Sequence, residues 1–353
     1  MPTDGAELTN RWVDELHRLG YLDPRQSSAL RAVKPGELDR PAAVDTVVSR
    51  LGAKRSGWNA ADVRGEVEQL IARPNVVTTA AVRRELAEDL TARVLDACVP
   101  LLPEGVPEHI RALTSVDVLR VEADITGRLA ARAAHPGRPV PITRGHLDEA
   151  QQDAVAALAG THRLVVVEGA AGAGKTATLA GTRAVVEQQG CRAVILTPTL
   201  KAAQVAAGEV GTPAFSAAWL AHQHGFRWDE HGRWTREGAD PHPQATLRPD
   251  DLLLVDEAGM LDQDTARALL TIADETGARV GFMGDRYQLP AVGRGVQPGP
   301  RRPRACSRRP PRRPGGSQLR HTARKERRSA PLHAVQASDG HRPKLLNFRR
   351  GAR

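Results

Sequence analysis

The sequence predicts an α/β fold, a single lobe with a parallel sheet, preceded by an all-α N-terminal region and followed by a disordered basic tail. Three observations carry this. Between His146 and Val296 four apolar runs, "RLVVVEG", "CRAVILTP", "DLLLVDE" and "ARVGFMG", alternate with helical stretches, the pattern of strands buried on both faces of a parallel sheet. The first run leads straight into "GAAGAGKT", a glycine-rich turn that opens a helical stretch. Beyond Gln297 the composition changes, with only six Leu, Ile, Val or Phe in 57 residues.

The elements follow in order. Residues 1–140 read as helical, most clearly where Val82, Leu86, Leu90, Val94 and Cys98 recur every fourth residue and form a core-facing stripe. A second helix opens at "WNAADVRGEVEQLIA", with Asn59 as its N-cap, Val63, Val67, Leu70 and Ile71 on one face, and Pro74 as its stop. Pro100, Pro103 and Pro107 mark a turn, and "HPGRPVP" at 135–141 reads as the linker to the lobe at 141–296. Residues 297–353 are too charged and too poor in apolar groups to offset the entropy of ordering, and are expected to be disordered.

The net charge of +9 suggests nucleic acid until it is divided along the chain. The tail holds fifteen Arg and two Lys against Glu326 and Asp339, a local +15, so that residues 1–296 carry −6. Cys98, Cys191 and Cys306 are odd in number and far apart, which gives neither a disulfide framework nor a cysteine zinc site. With no apolar stretch of membrane length and no leader pattern, the expectation is a cytoplasmic protein with no membrane partner.

The chemistry concentrates in two motifs. In "VVVEGAAGAGKTATLAG" Gly169, Gly172 and Gly174 leave no bulk beside the backbone amides, so phosphate oxygens can approach them at a helix start. Lys175 is placed to reach the β and γ phosphates, and Thr176 a magnesium ion. The Lys-Thr ending points to a triphosphate such as ATP rather than to a dinucleotide. In "LLLVDEAGM" Asp256 and Glu257 end a second apolar run and are expected on the same sheet edge, Asp256 on magnesium and Glu257 on the attacking water.

A third motif, "GDRYQLPAVGRG" at 284–295, joins "LDEAQQDAV" at 147–155, "GAAGAGKT", "TPTLKAA" at 197–203 and "VDEAGM". Together they resemble the ordered motifs of RecD-like superfamily 1 DNA helicases, whose fold is a RecA-like P-loop NTPase lobe. The stretches "GWNAADVRGEVEQLIA" and "SAAWLAHQHGFRWDEHGRWTR" further resemble the helicase portion of actinobacterial conjugative relaxases of the TrwC/TraA type. The resemblance covers roughly residues 50–296. It implies ATP-dependent DNA unwinding in plasmid transfer, with single-stranded DNA and conjugation machinery as partners. By resemblance Gln151 reads adenine, Gln288 senses the γ phosphate, and Thr197, Thr199 and Lys201 contact the DNA strand. For Gln151 a capping role, and for the DNA contacts an ordinary surface role, remain open alternatives.

Trp219, Trp228 and Trp234 lie near Phe215 and Phe226, and either stack on bases or pack locally. His222, His224 and His231 lack the spacing of a zinc site. The pattern departs from the relaxases in its tyrosines, since neither Tyr21 nor Tyr287 matches the nucleophile of their nicking domain. Such helicases also draw arginine fingers from a second lobe, which this sequence does not show. The expectation is an incomplete motor whose Arg/Pro-rich tail arises from a frameshift. The alternatives are a non-catalytic nucleotide-binding or nucleic-acid-binding fragment and a RecD-like repair helicase fragment.

Overall fold

A computed structural model describes residues 5–18, 33–72, 76, 78–103, 105, 107–142, 145–169, 172–285 and 332–335. In the N-terminal region the helices are α1 (Gly5–Arg18), α2 (Arg40–Lys54), α3 (Ala60–Ala72) and α4 (Ala80–Asp96). Asn59 caps α3 as expected: its Oδ1 accepts from the Asp62 amide at 2.9 Å. Thr79 caps α4 in the same way, accepting from the Val82 amide. Around Trp58, α2, α3 and α4 close a core that includes Val47, Val63, Val67, Ile71, Leu86, Leu90 and Val94. The predicted stripe on α4 therefore holds in its middle, but Val82 in the first turn is 40% exposed. The region is not entirely helical. Val99–Pro100 (β1) and Leu113–Thr114 (β2) pair antiparallel in the proline-punctuated stretch, where a helix is excluded.

Helix α5 (Val116–Ala133) joins this region to the lobe. Val118 belongs to the helical core, whereas Val121 and Ile125 belong to the core of the lobe. Polar contacts reinforce the seam: Arg132 Nε donates to Asp274 at 2.9 Å and Arg128 Nη1 to the same carboxylate at 2.5 Å. Arg267 donates to Asp124 at 2.7 Å. The expected linker is also tied down, with Val140 N donating to Ala156 O and Thr161 N to Arg138 O, each at 3.0 Å.

The lobe continues as α6 (Glu149–Ala159), β3 (Leu164–Gly169), α7 (Lys175–Gln188), β4 (Ala193–Thr197), α8 (Leu200–Val210), β5 (Ala214–Ser216) and α9 (Ala217–Gln223). A hairpin follows, β6 (Phe226–Trp228) with β7 (Trp234–Arg236), then β8 (Leu252–Val255), α10 (Gln263–Thr276), β9 (Arg279–Gly284) and β10 (Leu332–Val335). All four apolar runs of the sequence are strands. The sheet order is β10-β3-β9-β8-β4-β5, with β3, β9, β8, β4 and β5 mutually parallel. Alternation along the strands divides the core. Val194, Leu196, Leu253 and Val255 face α5, α9 and α10, while Val165, Val167, Ile195, Leu252 and Leu254 face α6, α7 and α8.

Two expectations change here. β5 is a further parallel strand, too short and mixed to be read from "AFS". The tail was expected to be disordered, yet Leu332–Val335 pair antiparallel with β3, from Leu332↔Gly169 to Val335↔Val166. An edge strand offers free amides and carbonyls whatever the partner's composition, which is why a charged segment can join it. The other tail residues, the 296 boundary and Gln288 lie outside the described residues.

The seam at α5 yields a test. Asp274→Ala leaves the largely buried Arg132 without its carboxylate, although Ala278 O still accepts from Arg132 Nη1 at 3.0 Å. We expect a loss of about 1–3 kcal/mol in urea unfolding, the cost of stranding a buried charged donor. A loss near zero would mean that the Asp274 contacts add nothing to the hold on α5.

Candidate functional site

Parallel strands deliver their C-terminal ends to one edge, and the register fixes what meets there. Glu168 pairs with Gly284, Val255 with Phe282, and Leu196 with Val255. The edge thus runs from the glycine loop after β3, past Asp285 after β9, to Asp256 and Glu257 after β8, and on to Thr197 on β4. The chain crosses from β3 to β4 and fills the gap later with β8 and β9; in open α/β sheets the place where the strand order reverses is where ligands bind.

The loop residues Gly172 and Gly174 have φ of +77° and +76°, a conformation that glycine adopts without steric cost. Gly174 is the N-cap of α7, so Lys175 and Thr176 form its first turn, where free amides and the positive end of the helix dipole face outward. Lys175 and Thr176 are half-buried. No described residue lies within 4 Å of the position a Gly172 side chain would take.

Asp256 and Glu257 follow a strand buried at every residue. The Asp256 amide continues the ladder to Leu196 O at 2.8 Å. Its Oδ1 accepts from the Glu257 amide at 2.9 Å. Glu257 itself has φ +51°, a left-handed conformation that costs a non-glycine residue about 1–3 kcal/mol and gathers at functional sites. Gly284 lies against this turn, since a side chain there would sit 3.3 Å from the Ala258 amide nitrogen. Burial pushes the Asp256 carboxyl above its ordinary value; the Lys175 charge opposes the rise, and Glu257 and Glu209 add to it.

The remaining candidates are placed unevenly. Gln151 closes a capping box on α6: its backbone amide donates to the Asp148 carboxylate at 2.8 Å and its Oε1 accepts from the Asp148 amide at 3.1 Å. Its Nε2 reaches Ala173 O at 3.4 Å, so it touches the phosphate loop while serving as a cap. Thr197 is buried and donates to Thr199 O at 2.8 Å. Thr199 caps α8, accepting from the Ala202 amide at 3.2 Å, and Lys201 is exposed. The aromatic cluster splits. Phe215 stacks on Trp219 at 4.2 Å against the core, whereas Trp228 stacks on Trp234 at 4.8 Å on the hairpin with Trp228 46% exposed. Among the described residues no group of three or more His, Cys, Asp or Glu is arranged to hold a metal ion. Nor is any described helix long and apolar enough to cross a membrane.

One residue at this edge has no motif to announce it. Glu209, on α8, accepts the Thr176 hydroxyl proton at 2.9 Å. It lies 33 positions from Thr176, and only the return of α8 beside α7 brings them together.

A parallel strand, a glycine loop and a helix, with an acid pair one strand removed, define a P-loop α/β lobe. Residues 146–347 match the model of the AAA domain family, more than half of the chain, and the chain belongs to that family. It is 29% identical over 163 residues to integrase/recombinase y4rE of Sinorhizobium fredii, covering 40% of this chain and 49% of that protein. It is 34% identical over 155 residues to the ATP-dependent RecD2 DNA helicase of Deinococcus radiodurans, covering 43% of this chain and 19% of that protein. The chain thus spans less than half of either relative's length. Among solved structures, the arterivirus nonstructural protein 10 helicase with DNA is similar at a TM-score of 0.24 and 16% identity, over 54% of this chain and 53% of that one.

The raised Asp256 carboxyl sets a test of function against stability. In the unfolded chain Asp256 titrates at its ordinary value, so the folded state binds the proton more tightly and loses stability as pH rises from there through the raised value. Asn keeps an oxygen for the Glu257 amide without the charge. Asp256→Asn is therefore expected to raise the melting temperature at pH 7, with the gain fading below about pH 4. An unchanged or lower melting temperature at pH 7 would show that the buried charge is fully compensated.

Proposed function

We propose that this chain is an ATP-dependent, magnesium-requiring P-loop ATPase lobe of DNA helicase type, acting on single-stranded DNA. The observation that carries the reading is the meeting of the loop at Gly172–Thr176 with the Asp256–Glu257 pair at one sheet edge, with β9 between them. The donor set fits its ligand. Hydroxyl and carboxylate oxygens with one ammonium suit a hard dication and phosphate, and magnesium takes only one or two carboxylates beside the phosphates.

In this reading the loop amides and Lys175 bind the phosphates, with Gly169, Gly172 and Gly174 allowing the close approach. Thr176 and Asp256 would hold magnesium, which when bound neutralises charge on the transferring phosphoryl group. Glu257 orients the attacking water and accepts its proton, which needs a carboxylate held at a fixed angle; its left-handed backbone supports that role. Gln151, already against Ala173, reads the adenine edge when its cap opens, and Gln288 senses the γ phosphate. Thr197 shapes the turn from within, while Thr199 and Lys201 meet the DNA backbone.

The similarity to a DNA helicase supports the substrate class. Within that class, the sequence motifs favour the helicase portion of a conjugative relaxase, with the transfer machinery as its partner.

The test separates binding from chemistry. Lys175→Ala should abolish magnesium-dependent ATP binding measured by calorimetry. Glu257→Gln should keep ATP binding and slow hydrolysis by about 10²–10⁴-fold, the range for loss of a general base. ATP binding that survives Lys175→Ala would overturn the reading.

A further inference from the structure

Thr176 carries the hydroxyl that the ATPase reading assigns to magnesium, and that hydroxyl already has a partner. Its single proton goes to Glu209 Oε2 at 2.9 Å. An ionised carboxylate only accepts, so the direction of this hydrogen bond is fixed. Resting on the ATPase reading, we propose that Glu209 is a positioning residue for the magnesium ion: it takes the Thr176 proton and leaves the oxygen's lone pairs to face the metal.

An acceptor of this kind suits a metal-bound hydroxyl. Without one, the hydroxyl must give up its rotational freedom to present its oxygen to a cation; an acceptor behind it sets that orientation in advance. Partners behind a ligand fix its orientation and raise its basicity, and their loss commonly costs 10–100-fold in metal affinity, taken as an order of magnitude. Glu209 also acts through its charge. It lies within electrostatic reach of Asp256, as do Glu257 and Lys175. Without the cation this charge opposes phosphate; with the cation it adds attraction.

A purely structural role makes a different forecast. The bond is exposed and joins two helices that follow neighbouring crossovers. As a simple clasp between α7 and α8 it would contribute only slightly to folding. Its loss would then lower the melting temperature slightly and leave the response to metal untouched.

The experiment uses the full chain and a fluorescent ATP analogue, titrated with magnesium and, separately, in EDTA. For Glu209→Ala we expect the magnesium midpoint to rise about 10–100-fold, with affinity in EDTA unchanged or tighter. Glu209→Gln keeps an accepting oxygen without the charge and should fall between. In a Thr176→Val background the Glu209→Ala shift should shrink to the part its charge contributes, because the hydrogen-bonded part needs both residues. An unchanged midpoint in Glu209→Ala overturns the proposal, as does an equal loss of affinity with and without magnesium. If the unaltered protein binds no analogue at all, the ATPase reading itself fails, and this one with it.

Discussion

The arrangement of this lobe depends on β8 being buried on both faces. Leu252 and Leu254 pack toward α6, α7 and α8, and Leu253 and Val255 toward α5, α9 and α10. A strand held from both sides cannot slip by one residue without turning its side chains into the wrong layer. That constraint fixes where the chain emerges, and so carries Asp256 to a half-buried position across from Lys175. The raised carboxyl and the left-handed turn at Glu257 are consequences of this placement. Both cost stability, and the packed strand behind them supplies the means to bear it.

The same edge joins groups that are remote in sequence. Four parallel strands and their turns bring together the loop after β3, Asp285 after β9, the acid pair after β8 and Thr197 on β4. The helical region is a separate core that meets the lobe through α5, whose apolar face is shared between the two. It also touches the hairpin: Arg50 Nε donates to His231 Nδ1 at 3.2 Å, and Arg233 Nε to Ser49 Oγ at 3.3 Å. The exposed ring of Trp228 is thus carried on a hairpin whose tip is braced by α2.

Much of this was legible in the sequence, for identifiable reasons. The four apolar runs were readable as strands because they are short, rich in apolar residues and bounded by turn residues, although β3 alternates between buried and more exposed positions. Asn59 and the loop at Gly172–Thr176 were readable because caps and phosphate loops impose residue types at fixed spacing. Other features left no such mark. "AFS" is too short to show periodicity, and Leu332–Val335 lie in a segment whose composition argues for disorder, yet the strand pairing uses only backbone groups. Glu209 is an ordinary acid on a helix until the fold sets it against Thr176. The family match likewise runs to residue 347, past the compositional change at Gln297.

The central claim is that the sheet edge at the start of α7 is a magnesium–ATP site. A crystal structure with a non-hydrolysable ATP analogue and magnesium tests it most directly. The account predicts phosphate density against the amides of the loop leading into α7, with a cation between Thr176 and Asp256. Analogue bound elsewhere on the chain, or a loop left empty at saturating analogue, would contradict it.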